Sequence, residues 1–153
     1  MIMRDYKKEL EDRVEFIRGV LRDSGTSGIV YGNSGGKDSA LVGALCKAAC
    51  DNTVGIIMPC ASKRNFGLDR DDGLTVATHF GIETREIDLS PVKEAMTAAL
   101  SGVTELSDMG SANINPRLRM TTLYAVAASE NRLVAGTGNR SEAYLGYFTK
   151  WGD

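Results

Sequence analysis

Apolar side chains recur at three- and four-residue spacing at Tyr6, Leu10, Val14, Ile17 and Leu21, the period of one helix face. The chain is therefore expected to open with an amphipathic helix from Met3 to Asp23, ended by Ser24-Gly25. The period then changes. Gly28-Ile29-Val30-Tyr31 is a continuous apolar run of buried-strand length, followed by Gly32-Asn33-Ser34-Gly35-Gly36 and a helical pattern from about Asp38 through Cys50. Val54 to Met58 is a second buried run, stopped by Pro59. Asp69 to Phe80 reads as a helix, Glu83 to Leu89 as a third strand, and Pro91 to Leu100 as a helix with proline at its permitted first turn. From Ser101 to Ile114 the pattern dissolves into Gly, Ser and Asp, which predicts a mobile loop and a candidate lid. Pro116 then opens a helix through Ser129, and Arg132 to Ala135 forms a fourth strand ending at Gly136-Thr137-Gly138.

Strands alternating with helices at this spacing predict parallel βαβ units: an α/β fold with an open parallel sheet and helices on both faces. Ligands of such sheets bind beyond the carboxyl ends of the strands. Two of those ends carry glycine-rich loops here, after Tyr31 and after Ala135.

Composition narrows the function classes. A chain of 153 residues, 42% hydrophobic and 25% charged, fits one globular domain spanning 1–153. Eighteen Lys and Arg against twenty Asp and Glu give a net charge of -2, which argues against a nucleic-acid partner. The apolar runs are too short to cross a bilayer and the first residues lack the apolar stretch of a secretory signal, so no membrane partner and a cytoplasmic location are expected. Cys46, Cys50 and Cys60 are expected as reduced, partly buried thiols; with only His79 to add, they make a poor zinc set. His79 falls within an apolar-periodic helix, so a nucleophile–histidine triad is not expected.

The strongest chemical signal is Gly32-Asn33-Ser34-Gly35-Gly36-Lys37-Asp38-Ser39, between a buried strand and a helix. Small residues let backbone N–H groups approach phosphate oxygens, the helix start adds a positive dipole end, and Ser34 and Ser39 add hydroxyls. The loop is not a Walker A motif, since Tyr31 occupies the first glycine position and Asp38 follows Lys37. A carboxylate in a phosphate-binding loop repels its ligand unless a cation lies between them, so Asp38 argues for Mg2+. Ser34 to Ser39 resembles the SGGxDS loop of the ATP-pyrophosphatase (PP-loop) superfamily, whose members cleave ATP between the α- and β-phosphates.

Gly136-Thr137-Gly138-Asn139-Arg140-Ser141-Glu142 and the LGYFTKWGD segment ending at Asp153 are similar to the signature of ammonia-dependent NAD synthetases, and Asn115 to Met120 resembles the segment preceding it in that family. The resemblance implies an adenine-nucleotide alpha-hydrolase-like sheet in the order 3-2-1-4. It also implies ATP-driven amidation of deamido-NAD with ammonia, giving NAD, AMP and pyrophosphate through an adenylated intermediate. Positioning and charge neutralisation suffice for that displacement, so no protein nucleophile is assigned. By motif position, Gly32, Asn33, Ser34, Gly35, Gly36, Lys37, Asp38, Ser39 and Thr137 would hold ATP, Asp38 and Glu142 would hold Mg2+, and Arg117 and Lys150 would hold deamido-NAD. The residues alone also allow Thr137 as a turn residue, Glu142 as a first-turn helix acid, and Arg117 and Lys150 as surface charges. The family works as a homodimer, and the apolar residues from Leu118 to Ala127 make the helix after Pro116 the expected contact. Family members continue beyond TKWGD, so the resemblance implies a missing C-terminal part, including a fifth strand. The alternatives are another PP-loop enzyme, GMP synthetase-like or tRNA-modifying, and a catalytically incompetent nucleotide-binding fragment.

Overall fold

The computed structural model describes residues 5–61 and 67–152. Its first helix, α1 (Tyr6–Ser24), starts where the Asp5 side chain accepts from the Lys8 amide at 3.1 Å, and closes at Gly25. Four strands follow, β1 (Gly28–Gly32), β2 (Thr53–Ile57), β3 (Glu83–Glu86) and β4 (Arg132–Ala135), all parallel and in the spatial order β3-β2-β1-β4. Between them run α2 (Lys37–Ala49), α3 (Leu68–Phe80), α4 (Ser90–Leu100) and the long α5 (Asp108–Glu130), with the short α6 (Arg140–Leu145) last.

The sheet is covered on both faces, which is why β1 and β2 are almost wholly buried and read as unbroken apolar runs. On one face Val30, Val54, Ile56, Met58, Cys60 and Leu89 pack against Leu123 and Ala127 of α5. On the other, Tyr31 packs with Ala77 and Ile82, joined by Val42 and Ala135. Edge strand β3 has the sequence Glu-Thr-Arg-Glu, whose charges discourage pairing with another chain. All three cysteines are free, Cys46 and Cys60 buried and Cys50 half-buried. His79 is exposed in the last turn of α3, edge-on to Phe80 at 4.8 Å between ring centroids. Among the described residues no helix is long and apolar enough to cross a membrane.

Two expectations need correction. The third strand ends at Glu86 rather than Leu89; beyond it Ile87 and Leu89 still donate to the carbonyls of Ile57 and Pro59, at 3.0 and 2.8 Å, but Leu89 has already turned to φ −91°, ψ 0° ahead of the next helix. The loop and candidate lid expected from Ser101 to Ile114 is helical from Asp108 onward, so Pro116 lies inside α5 rather than at its start. Proline removes a helical N–H and crowds the carbonyl four residues back, which makes it look like a helix start. Here the turns before it have their own supports. Ser107 caps the true start by accepting from the Gly110 amide at 3.1 Å, and Ile114 is buried.

Candidate functional site

β1 delivers the glycine-rich loop to the carboxyl edge of the sheet, where the Asn33 amide still donates to the Ile56 carbonyl at 2.9 Å. The loop then turns on its own side chains. The buried Asn33 carboxamide donates to the Gly73 carbonyl of α3 at 2.8 Å and accepts from the Gly35 amide at 3.3 Å. Ser34 Oγ accepts from the Gly36 amide at 3.3 Å and lies 3.1 Å from Ser39 Oγ, which donates to the Gly36 carbonyl at 2.9 Å. Gly35 has φ +75°, and a Cβ there would lie 2.5 Å from the Asp69 carbonyl oxygen, so no other residue fits between the loop and α3. Gly36 caps α2 without a side chain, leaving the leading N–H groups of that helix available to an anion.

β4 delivers the second loop to the same edge, and the two meet in an open cleft of about 350 Å3. Gly32, Asn33, Ser34, Gly36, Asp38 and Ser39 line it from the first loop, and Thr137, Gly138 and Glu142 from the second. Asn139 joins the loops. Its Nδ2 donates to Asp38 Oδ2 at 3.3 Å, its Oδ1 accepts from the Glu142 amide at 2.9 Å, and its own amide donates to Glu142 Oε2 at 2.9 Å. The last two bonds form a capping box, so Glu142 is a first-turn helix acid that also faces the cleft.

Positive charge comes from residues that sequence reasoning did not single out. Arg119 of α5 reaches the cleft with its Nε donating to the Met58 carbonyl at 3.1 Å. Arg70 lines it while bonded to both carboxylate oxygens of Glu86 at 2.8 Å, a pairing that holds the guanidinium firmly protonated. Asp69, the chain from Ile56 to Pro59, Tyr147 and Phe148 complete the lining. Burial pushes the thiol of neighbouring Cys60 upward, with Arg119 pulling partly against it, which disfavours the thiolate.

Gly35 and Lys37, expected among the ATP-holding residues, lie outside the cleft lining. Arg117 and Lys150 also lie outside it but come together: Arg117 Nε donates to the Lys150 carbonyl at 3.2 Å, and Lys150 Nζ sits 5.3 Å from the Trp151 ring centroid. The turns of α5 once expected as a lid carry this segment, since Thr149 Oγ1 donates to Asn113 Oδ1 at 2.9 Å. Of the missed residues, Asn139 had a readable signal, the Asn-x-x-Glu capping pattern. Arg70 and Arg119 had none, because their entry depends on how α3 and α5 pack.

Two carboxylates with no basic partner among the described residues suit a hard cation. The described residues contain no cluster of three or more His, Cys, Asp or Glu side chains able to hold a metal ion. Mg2+ binds through one or two carboxylates, with phosphates and water supplying the rest.

An open parallel sheet in this order, with the SGGKDS loop at the end of β1, defines an adenine-nucleotide alpha-hydrolase-like protein of the PP-loop type. Within that class the chain belongs to the NAD synthase family, whose model matches residues 9–153. It is 43% identical over 152 residues to an NH(3)-dependent NAD(+) synthetase from Carboxydothermus hydrogenoformans, an alignment covering 97% of this chain and 61% of that protein. Among solved structures it is similar to an NMN synthetase from Francisella tularensis, with TM-score 0.89 and 33% identity over 98% of this chain and 61% of that one. It is likewise similar to an NH3-dependent NAD synthetase from Campylobacter jejuni in complex with the nitrate ion, with TM-score 0.86 and 33% identity over 98% and 64% of the two chains. The chain thus spans about 61% of the length of the first of these relatives.

Proposed function

We propose that the protein amidates the nicotinate carboxylate of deamido-NAD with ammonia, at the expense of ATP, releasing AMP and pyrophosphate. The observation that carries this reading is the convergence of the SGGKDS and GTGNRSE loops on one cleft, joined through Asn139. The open N–H groups at the start of α2 and the Ser34 and Ser39 hydroxyls hold the ATP phosphates, with Thr137 on the opposite loop. Asp38 and Glu142 hold Mg2+, which when bound neutralises phosphate charge as pyrophosphate leaves. Arg119 and Arg70 add fixed positive charge at the cleft wall, where it stabilises the same developing charge without reorganising. Arg117 and Lys150, paired beyond Tyr147 and Phe148, hold the dinucleotide. Attack by ammonia on the adenylated carboxyl then needs alignment rather than a protein nucleophile. The setting is cytoplasmic, and the functional unit is a homodimer in contact through α5, on which Tyr124 remains 59% exposed while Leu123 and Ala127 are committed to the core.

The likeness to an NMN synthetase makes nicotinate mononucleotide the second acceptor to test. The experiment measures melting temperature with Mg·ATP for the chain and Asp38→Asn, and AMP formation with ammonia and either acceptor. A ligand that binds only the native state at a hundred times its Kd stabilises it by about 2.7 kcal/mol. The expected result is a shift with Mg·ATP that Asp38→Asn loses, and AMP released with deamido-NAD. An equal shift in both proteins overturns the metal assignment, and AMP release with the mononucleotide alone overturns the acceptor.

A further inference from the structure

We propose that Asn139 is a positioning residue that sets the Asp38 and Glu142 carboxylates for a divalent cation; this rests on the reading of those two side chains as the Mg2+ ligands. The orientation of its carboxamide follows from donor chemistry. The Glu142 amide only donates, so the atom 2.9 Å from it is Oδ1, and the NH2 end is the one facing Asp38 Oδ2 at 3.3 Å. The Asn139 backbone N–H meanwhile takes Glu142 Oε2 at 2.9 Å. One residue therefore engages one oxygen of each carboxylate. The other oxygen of each makes no hydrogen bond among the described residues, so both acids keep a free oxygen for a cation.

Capping alone does not account for the residue. Ser, Thr and Asp cap a helix start about as well as Asn, but Asp has no donor, and Ser and Thr keep only an O–H on the same atom that caps the helix, one bond closer to the backbone than the Asn amide. Asp38 stands on α2 and Glu142 on α6, 104 positions apart in the chain; the neighbouring strands β1 and β4 bring their loops to one edge, and the Asn139–Asp38 bond is the direct side-chain tie that fixes one carboxylate against the other. Residues that hydrogen-bond to metal-ligating side chains typically change metal affinity by about 10–100-fold when replaced.

Asn139→Ser separates the two roles, since it keeps a capping hydroxyl and removes the amide. Calorimetric titrations with Mn2+·ATP, and with ATP in EDTA, are run on the parent chain, Asn139→Ser, Asp38→Asn and the double variant, each with a thermal melt. The expected result is that Asn139→Ser melts with the parent, binds Mn2+·ATP about tenfold or more weakly, and binds metal-free ATP unchanged. The double variant should lose no more than Asp38→Asn, because Asn139 acts through that carboxylate. If Asn139→Ser folds poorly, Asn139→Thr, also a cap without an amide, takes its place. Parent-like Mn2+·ATP affinity in the capping variant, with Asp38→Asn impaired, overturns the role of Asn139 and leaves the metal reading standing. Parent-like affinity in Asp38→Asn, or a parent chain indifferent to Mn2+, overturns both.

Discussion

Tyr31 shows how one residue can exclude one chemistry and shape another. It stands where a Walker A loop would need its first glycine, and its ring turns away from the cleft, wedged between α2 and β2. Two glycines make that room: a Cβ at Gly43 would overlap the Tyr31 hydroxyl, and one at Gly55 would lie 3.1 Å from it. The side chain is fully buried and its hydroxyl has no hydrogen-bond partner among the described residues. Burial pushes its pKa up to about 12, with buried Cys46 nearby adding to the effect. A buried unpaired polar group costs about 1–3 kcal/mol, whereas the ring itself supplies the packing. Tyr31→Phe should therefore keep the fold and raise its stability by about 1 kcal/mol, read as a higher urea midpoint at unchanged m-value. A lower midpoint would show that the hydroxyl has a partner in solution.

At the scale of elements, the glycine-rich loop and α3 behave as one unit, because the side-chain tie between them is buried: Asn33 Nδ2 on the Gly73 carbonyl, with Gly35 pressed against the first turns of α3. Asn33→Ala leaves the Gly73 carbonyl and the Gly35 amide without their partner, which should destabilise the chain by about 1–3 kcal/mol and shrink the Mg·ATP-induced rise in melting temperature. A neutral effect on both would mean that the loop holds its shape unaided. Sequence reading reached the loop but not this tie, since it took Asn33 as a ligand contact and nothing in the spacing pairs positions 33 and 73. β1 and β2 were legible because doubly covered strands are continuously apolar, whereas the order of the four strands followed from the family resemblance. Asp108 to Ile114 was not, because Gly, Ser and Pro weigh against helix locally while the Ser107 cap and the packing of Ile114 are decided by neighbours. Asp38 and Glu142 could be found from their motifs; Asp69, Arg70 and Arg119, which share the cleft, could not, because α3 and α5 bring them in from distant parts of the chain.

Across the whole molecule, the two edges of the sheet are tied by a single carboxylate. Glu130, at the end of α5, pairs with Arg85 of edge strand β3 and with Arg132 of edge strand β4, the latter at 2.8 Å. The mostly buried Arg132 side chain also donates to the Asn52 carbonyl at 2.9 Å, just ahead of β2, and reaches the Ile29 carbonyl of β1 at 3.5 Å. The network thus touches every strand or its approach: Arg132, Asn52 and Ile29 lie toward the amino end of the sheet, away from the cleft, while Arg85 stands opposite Ile56 on β2. Hydrogen bonds from Arg85 first, and from Arg132 next, lower the Glu130 pKa below its ordinary value of 4.5. A carboxylate whose pKa is lowered by folding stabilises the native state above its unfolded pKa and loses that contribution as pH falls through the folded value. Both arginines stay charged throughout, and because Arg85 also pairs with Glu83 at 2.8 Å, the contribution of Glu130 is read as the difference between Glu130→Gln and the parent at each pH. Glu130→Gln should therefore be less stable than the parent at pH 7, and the gap should close as pH falls below about 4.5. Urea unfolding of both proteins from pH 7 down to pH 3 would measure it. A gap that stays constant across the range would show that Glu130 contributes through its shape and not its charge, and the sheet would then need another account of what holds its edges together.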